Sequence, residues 1–176
     1  MKIGLCGTMS VGKTTLVKAL KELPEFKGYN FATERSKYLN NLGIPLNTDS
    51  TLKGQTVFLA ERCAELMNED IITDRTVIDV MAFTMNAKSI AYQDKEIFED
   101  YAKEFVREYD YLFYISPDGL PIEDNGVRET DEYYRDIIDF SIITLIRKYA
   151  HMMNKIETIK GSTQDRIGQI LNVINS

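Results

Sequence analysis

The sequence predicts an α/β fold in which a five-stranded parallel sheet carries helices on both faces. Short apolar segments of strand length alternate with segments of helical periodicity along the 176 residues. Such alternation is typical of parallel sheets wrapped by helices. A glycine-containing segment also follows the first apolar run, where a strand would pass into a helix. We therefore expect one domain, residues 1–176, that begins with a strand–loop–helix unit.

The individual elements follow from length, spacing and terminal signals. The segments with strand character are 2–6, 30–32, 70–73, 112–115 and 156–159. Between the second and third of these, apolar side chains recur at helical spacing at Leu52, Leu59, Cys63 and Leu66. The first helix is expected to end before Pro24, because proline disfavours helical geometry in the preceding residue. The last helix is expected to begin near Ser162, since a hydroxyl side chain is a typical start signal.

A phosphate-binding loop is the most specific pattern in the chain. It consists of Gly7, Thr8, Met9, Ser10, Val11, Gly12, Lys13, Thr14 and Thr15. Its small residues let successive backbone N–H groups surround a phosphate, Lys13 can reach the β- and γ-phosphates, and the Thr14 hydroxyl can bind Mg²⁺. The loop therefore predicts a bound nucleoside triphosphate, and we expect ATP and Mg²⁺.

Composition limits the classes of partner. The chain has 21 Lys and Arg against 27 Asp and Glu, a net charge of −6. This balance disfavours a broad nucleic-acid surface but leaves a local basic cleft open. Cys6 and Cys63 are far apart among apolar neighbours, which indicates packed thiols in a reducing, cytoplasmic setting. No segment approaches the length of a membrane span. The sequence leaves a homodimer open.

Charged side chains follow the second and third predicted strands, at the edge where ligands gather in a parallel sheet. Asp74 can hold Mg²⁺ or its water shell, or it can cap the helix that begins near Thr76. Glu34 can accept the proton of an acceptor hydroxyl, or it can lie in solvent in the first turn of a helix. General-base chemistry falls to carboxylates, because His151 is the only histidine.

Five further arginines and one aspartate are candidates. Arg35 and Arg75 can neutralise phosphate oxygens, or they can pair with neighbouring carboxylates. We interpret Asp79 as a bridge to substrate or to Arg75. The segment 118–130 is expected to be a lid that carries Arg128, with Arg135 on the following helix, or else an ordinary surface loop. Arg166 belongs to the segment 160–166 after the last strand, which is either a place where an adenine could rest or a plain strand-to-helix turn.

Together these positions resemble the P-loop kinases grouped around the ribosylnicotinamide kinase domain of the bacterial NAD biosynthesis regulator, a family with many small phage-encoded members. The resemblance covers nearly the whole chain. It rests on the loop at 7–15, Thr33-Glu34-Arg35-Ser36, the Gln55 helix, Asp74-Arg75-Thr76 with Asp79, the segment 124–128 and Asp165-Arg166. The chain is also similar to deoxyribonucleoside kinases, in which a glutamate after the second strand acts as base.

The resemblance implies an ATP- and Mg²⁺-dependent phosphotransferase that acts on a nucleoside, a nucleotide or a related small metabolite. It implies catalytic roles for Lys13, Glu34, Asp74, Arg75 and Arg128. Thr14 and Asp74 would hold the metal, and Arg128 and Arg166 would join the loop residues in binding the nucleotide. Glu34, Arg35, Gln55, Arg62 and Asp79 would contact the acceptor. Which of Glu34 and Asp74 is the base stays open.

Two other functions compete with this one. A kinase could act on a hydroxyl of polymeric DNA or RNA, although the acidic balance weighs against it. A nucleotide-driven switch or regulatory P-loop NTPase is the second alternative. The Asn-Lys-x-Asp motif typical of guanine-specific switches does not occur in the sequence. We therefore favour the small-molecule kinase.

Overall fold

The structure is a computed structural model that describes residues 1–33, 35–117, 120–122 and 131–176. Over these residues five strands form one sheet: β1 (Lys2–Cys6), β2 (Asn30–Ala32), β3 (Ile71–Asp74), β4 (Tyr111–Ile115) and β5 (Ile156–Ile159). Their order is β2-β3-β1-β4-β5, and every pairing is parallel. The predicted α/β class with a five-stranded parallel sheet is confirmed.

Seven α-helices connect and cover these strands within the described residues. They are α1 (Lys13–Lys21), α2 (Ser36–Asn41), α3 (Leu52–Glu65), α4 (Val77–Asn86), α5 (Tyr92–Ala102), α6 (Glu132–Tyr149) and α7 (Thr163–Ile174). Short 3₁₀ turns lie at Pro24–Phe26, Asn47–Asp49, Lys103–Glu108 and Ala150–Met152. As predicted, α1 ends before Pro24, and Ser162 caps α7.

The two faces of the sheet bury separate cores, because side chains along a strand alternate in direction. On β1, Ile3 and Leu5 pack with α1 and α7. Cys6 points to the opposite core, where α3, α4, α5 and α6 contribute. The same alternation places Phe113 on the first face and Tyr114 on the second. Helices therefore cover both faces, and β1 lies at the centre with its carboxyl end between them.

Two expectations from the sequence concern the cysteine thiols and membrane-spanning segments. Cys6 and Cys63 are both free, and burial raises the pKa of the Cys6 thiol, so this residue packs as a small apolar side chain. Among the described helices, none combines the length and the apolar character needed to cross a bilayer.

Candidate phosphotransfer site

The predicted phosphate loop joins β1 to α1 and depends on backbone conformations that favour glycine. Gly7 has φ 149° and Gly12 has φ 82°. A Cβ added to Gly7 would lie 2.7 Å from the carbonyl oxygen of Ile115, at the end of the neighbouring strand β4. Ser10 also adopts a positive φ, of 60°. The loop can turn tightly against the sheet because these positions tolerate such geometry.

A cavity of about 560 Å³ opens above this loop. Its walls are residues 9–15, Lys37, Asp74, Arg75, Leu120, Pro121, Gly161, Ser162, Thr163 and Arg166. Residues 9–15 of the predicted nucleotide-binding set therefore line one cavity. Gly7 and Thr8 are buried beneath it; the Thr8 hydroxyl donates to the carbonyl oxygen of Arg135 at 3.2 Å.

Two cations contact the loop itself. Lys13 is buried, and its Nζ donates to the carbonyl oxygens of Gly7 at 2.5 Å and Thr8 at 2.7 Å. Burial lowers the pKa of Lys13, and the Asp79 carboxylate opposes that shift. Arg166 donates from a guanidinium nitrogen to the carbonyl oxygen of Val11 at 2.7 Å, and burial lowers its pKa. The loop is thus held from both ends by side-chain cations.

Thr14 and Asp74 form the oxygen pair that the sequence predicts for Mg²⁺. Asp74 ends β3 and is 1% exposed, and its Oδ2 accepts a hydrogen bond from the Thr14 hydroxyl. Mg²⁺ prefers oxygen ligands, and it commonly takes only one or two from the protein. Within the described ranges no group of three or more His, Cys, Asp or Glu side chains could hold a metal. The alternative role of Asp74 as a helix cap is not observed, because Thr76 caps α4.

Arg75 connects this cavity to a second one. It lines both, and its guanidinium lies 4.9 Å from the centre of the Phe83 ring. Its φ is 84°, in the left-handed region, and its backbone N–H donates to the carbonyl oxygen of Leu5 at 3.1 Å. A non-glycine residue held in such a conformation costs about 1–3 kcal/mol, and this kind of strain clusters at functional sites.

The second cavity is about 30 Å³ and combines polar and apolar walls. Its walls are Ser36, Leu46, Asn47, Ser50, Gln55, Phe58, Arg75, Val80 and Phe83. Gln55, which the sequence predicts to contact an acceptor, is 4% exposed in this wall. Ser50 is 1% exposed, and its hydroxyl has no hydrogen-bond partner among the described residues. A buried hydroxyl with this geometry is suited to a polar ligand atom.

Three predicted substrate residues lie outside both cavity walls. Arg62 is 1% exposed and pairs with Glu65 at 2.5 Å. Arg62 shares a helix face with Gln55 but follows it by seven residues in α3. At the rise of an α-helix the two residues are about 10 Å apart, so Arg62 lies outside the cavity wall that contains Gln55. Arg35 forms a surface ion pair with Glu61 at 3.2 Å.

Asp79 is the third of these residues, and the structure assigns it to a helix cap. It is fully buried at the third position of α4. Its Oδ2 accepts hydrogen bonds from the backbone N–H and the hydroxyl of Thr76, at 2.7 and 2.8 Å. Its Oδ1 accepts from the backbone N–H of Gly7 at 3.1 Å. The sequence signal for this role is Thr76-x-x-Asp79, a capping box in which the carboxylate turns back toward the cap.

The structure also adds a residue that sequence reasoning missed. Lys37 lines the large cavity, and it forms no ion pair within the described part of the chain. No motif marks this lysine, although it follows the Glu34-Arg35-Ser36 pattern directly. Glu34, Arg128 and most of the expected lid, namely 118, 119 and 123–130, lie outside the described residues. Arg135, beyond that segment, donates to the carbonyl oxygen of Leu120 at 2.6 Å.

Solved structures that are similar to this chain include a deoxyadenosine kinase and the NadR and YorR proteins. A deoxyadenosine kinase from M. mycoides with bound dCTP is 20% identical, with 99% of both chains covered and a TM-score of 0.67. The NadR protein in complex with NR is 16% identical and has a TM-score of 0.70; the match covers 91% of this chain and 45% of that one. The YorR protein of Bacillus subtilis, in complex with phosphorylated GDP, is 16% identical, with coverage of 99% and 96% and a TM-score of 0.53.

The TM-scores establish a shared fold, and the predicted resemblance to P-loop nucleoside kinases is confirmed at that level. No protein of curated function matches the sequence. A family model described as an AAA domain matches residues 2–166. That match includes β1 and the phosphate loop at one end and Arg166 at the other. The chain therefore belongs to this AAA domain family.

Proposed function

We propose that the protein is an ATP- and Mg²⁺-dependent phosphotransferase whose acceptor is a nucleoside, a nucleotide or a related small metabolite. One observation carries this proposal: Arg75 lies in the walls of both the phosphate-loop cavity and a second, mixed polar and apolar cavity. Transfer between two bound substrates requires adjoining sites with a cation at their junction. A regulatory NTPase has no need of the second site.

The residues present fit a magnesium ion. The Thr14 hydroxyl and the Asp74 carboxylate already lie in contact, at the start of α1 and the end of β3. These two side chains would hold the ion, whose charge neutralises oxygens of the nucleotide phosphates when it is bound. Because Asp74 lies at the end of a rigid strand, its carboxylate would hold a fixed position relative to the Thr14 hydroxyl and to the ion.

The donor phosphates are expected to lie along the loop. Backbone N–H groups of residues 9–15 and the start of α1 supply partial positive charge to the phosphate oxygens. Lys13 would exchange its carbonyl partners for β- and γ-phosphate oxygens, since both are hydrogen-bond acceptors. Arg75 and Lys37 face the same cavity, and they would stabilise the negative charge that develops on the transferred group.

The acceptor is expected to reach Gln55 and Ser50 in the second cavity. An amide and an unpartnered hydroxyl can recognise the polar edge of a base or sugar, while Phe58 and Phe83 supply apolar contact. At about 30 Å³ this cavity is smaller than a nucleobase, so binding would have to separate its walls. The related kinases, with their bound dCTP, NR and phosphorylated GDP, motivate the choice of class.

The identity of the general base is predicted from the sequence alone. Glu34 follows β2 and belongs to the glutamate pattern of the similar kinases, whereas Asp74 is paired with Thr14. This pairing leaves Asp74 better suited to the metal, so we propose Glu34 as the base and Arg128 as a further phosphoryl-binding cation. A Glu34→Gln variant should lose transfer while retaining ATP binding.

The test is ATP turnover with Mg²⁺ against a panel of nucleosides, nucleoside monophosphates, nicotinamide riboside, and short DNA and RNA, with product masses recorded. A small-molecule product heavier by one phosphoryl group supports the proposal and identifies the acceptor. A phosphorylated oligonucleotide alone would instead indicate a polynucleotide kinase. ATP hydrolysis without any phosphorylated product would contradict the proposal and favour a regulatory NTPase.

A further inference from the structure

The described helices begin with two capping boxes of the same design, and these boxes differ in what the acidic residue contacts. In one, Ser162 caps α7 and its backbone N–H and hydroxyl donate to Asp165 at 2.9 and 2.6 Å. In the other, Thr76 caps α4 and donates in the same way to Asp79. Within the part of the chain that the structure describes, the Asp165 carboxylate bonds only to Ser162. Asp79 also bonds to Gly7, in the phosphate loop.

We infer that Asp79 is a positioning residue for nucleotide binding, which locks the entry of the phosphate loop to the strand end that carries Asp74 and Arg75. This inference rests on the proposed function. Its geometric basis is one fully buried carboxylate with three hydrogen bonds to two separate segments. Gly7 is the first residue of the loop, and Thr76 directly follows Arg75.

Only a carboxylate can make this connection. Each oxygen of Asp79 faces a backbone N–H donor, that of Gly7 on one side and that of Thr76 on the other. An asparagine has a single acceptor oxygen, so its NH₂ group would face one of these donors. A buried N–H without an acceptor is costly, so the backbone would move away at Gly7 or at Thr76. Either movement displaces residues that line the large cavity.

The local packing leaves little room for such a movement to be absorbed. A Cβ at Gly4 of β1 would lie 2.6 Å from Cγ2 of Thr76, so the cap already packs directly on the central strand. The backbone of Arg75 is held to Leu5 by a 3.1 Å hydrogen bond in a left-handed conformation. The link through Asp79 therefore passes between rigid segments, and its loss should change the shape of the phosphate site.

The experiment compares Asp79→Asn with two control variants by calorimetric titration with ATP and by thermal unfolding. Asp131→Asn makes the same chemical change at an exposed helix cap, where the carboxylate accepts from the backbone N–H of Tyr133 at 2.9 Å and lies outside both cavity walls. Ile78→Val removes one methyl group from a buried residue of α4, beside Asp79. We expect Asp79→Asn to weaken ATP binding by about tenfold or more. The two controls should bind ATP within about twofold of the unaltered protein.

Steady-state kinetics adds a measurement that a purely structural role would not change. The KM for ATP should rise in Asp79→Asn, while the KM for the acceptor stays the same. ATP binding equal to that of the unaltered protein, with thermal stability lowered as in Ile78→Val, would overturn the inference. Should Asp79→Asn fail to fold, amide hydrogen exchange at Gly7 in the unaltered protein decides. Protection like that of β1 supports the Gly7–Asp79 bond, and rapid exchange overturns it.

The two proposals fail in different ways. ATP binding without transfer to any acceptor would contradict the phosphotransferase, whereas a selective loss of ATP affinity in Asp79→Asn would still support the positioning role. Transfer that is equally efficient in Asp79→Asn and in the unaltered protein would overturn only the positioning role. A protein that does not bind ATP at all would contradict both.

Discussion

The two cavities that meet at Arg75 are built in different ways. The largest continuous part of the wall of the large cavity is one segment, residues 9–15, and its cations come from Lys13, Lys37, Arg75 and Arg166. The small cavity collects side chains from α2, α3, α4 and the turn at Asn47–Asp49, and its only charged wall residue among those described is Arg75. The first arrangement suits a polyanion of fixed shape, and the second suits a neutral group recognised by its polar edges.

This difference suggests that the two cavities recognise different chemical groups. A phosphate chain offers the same oxygens whatever nucleoside carries it, so a backbone loop with cations is sufficient to bind it. A base or sugar must be distinguished from others, which requires side chains whose hydrogen bonds differ between ligands. Substitutions on the loop side should therefore affect every acceptor equally. Substitutions around the small cavity should change the choice of acceptor.

The largest effect is expected for Lys13→Ala. The variant loses the cation that would contact the β- and γ-phosphates, so transfer should fall by about a thousandfold or more with every acceptor. Initial rates at saturating ATP measure the effect. Lys18→Ala, on the exposed side of the same helix, is the matched control and should retain normal activity. A Lys13→Ala variant with normal rates would remove the loop from the proposed mechanism.

Asp74→Asn should follow, with a loss of about a hundredfold. The amide has the same shape but lacks the charge that favours Mg²⁺ beside the Thr14 hydroxyl. The measurement is the Mg²⁺ concentration that gives half-maximal activity, which should rise strongly. Unchanged magnesium dependence, with intact folding by circular dichroism, would mean that this pair is not the metal site.

Arg75→Gly tests the junction between the cavities. Loss of the guanidinium should reduce transfer by about tenfold to a hundredfold, since hydrogen bonds to charged groups contribute about 1.5–3 kcal/mol. Glycine tolerates the φ of 84° at this position, so Arg75→Gly should also be about 1 kcal/mol more stable than Arg75→Ala. Chemical denaturation measures that difference. Equal stability of the two variants would contradict the strained backbone.

Gln55→Leu should give the smallest and most selective effect. Removing the amide from the small cavity should raise the KM for the acceptor by about tenfold, while the KM for ATP stays unchanged. Thr56→Ala, at the exposed neighbouring position on α3, serves as the control. If the KM for ATP rises instead, the small cavity is not the acceptor site, and the distinction between the two cavities fails.

The same difference explains what could be predicted from the sequence. The loop side was predictable because its residues are contiguous. Residues 9–15 line one cavity. Thr14, at the start of the predicted first helix, contacts Asp74, at the end of the predicted third strand. The alternation of apolar and helical segments likewise predicted the five parallel strands. Both inferences use local sequence patterns, which predict structure well because they depend only on residues that are close in sequence.

The small cavity was predictable only in part, because it depends on distances between segments. Gln55 lines the small cavity, whereas Arg62 on the same helix face lies outside it and pairs with Glu65. Ser50 and Phe83 come from separate elements, and nothing in their local sequence distinguishes them. For Asp79 a recognisable signal existed. A hydroxyl residue followed three positions later by an acidic one indicates a capping box, and that pattern outweighs proximity to Asp74 in sequence.

A single-turnover reaction with ATP labelled in the γ-phosphate tests the central claim most directly, using excess protein and the acceptor identified by the panel. If the two cavities hold donor and acceptor of one phosphotransferase, the label should appear on the acceptor, with little released as inorganic phosphate, and Lys13→Ala should transfer none. Release of the label as inorganic phosphate at the same rate with and without acceptor would contradict the account.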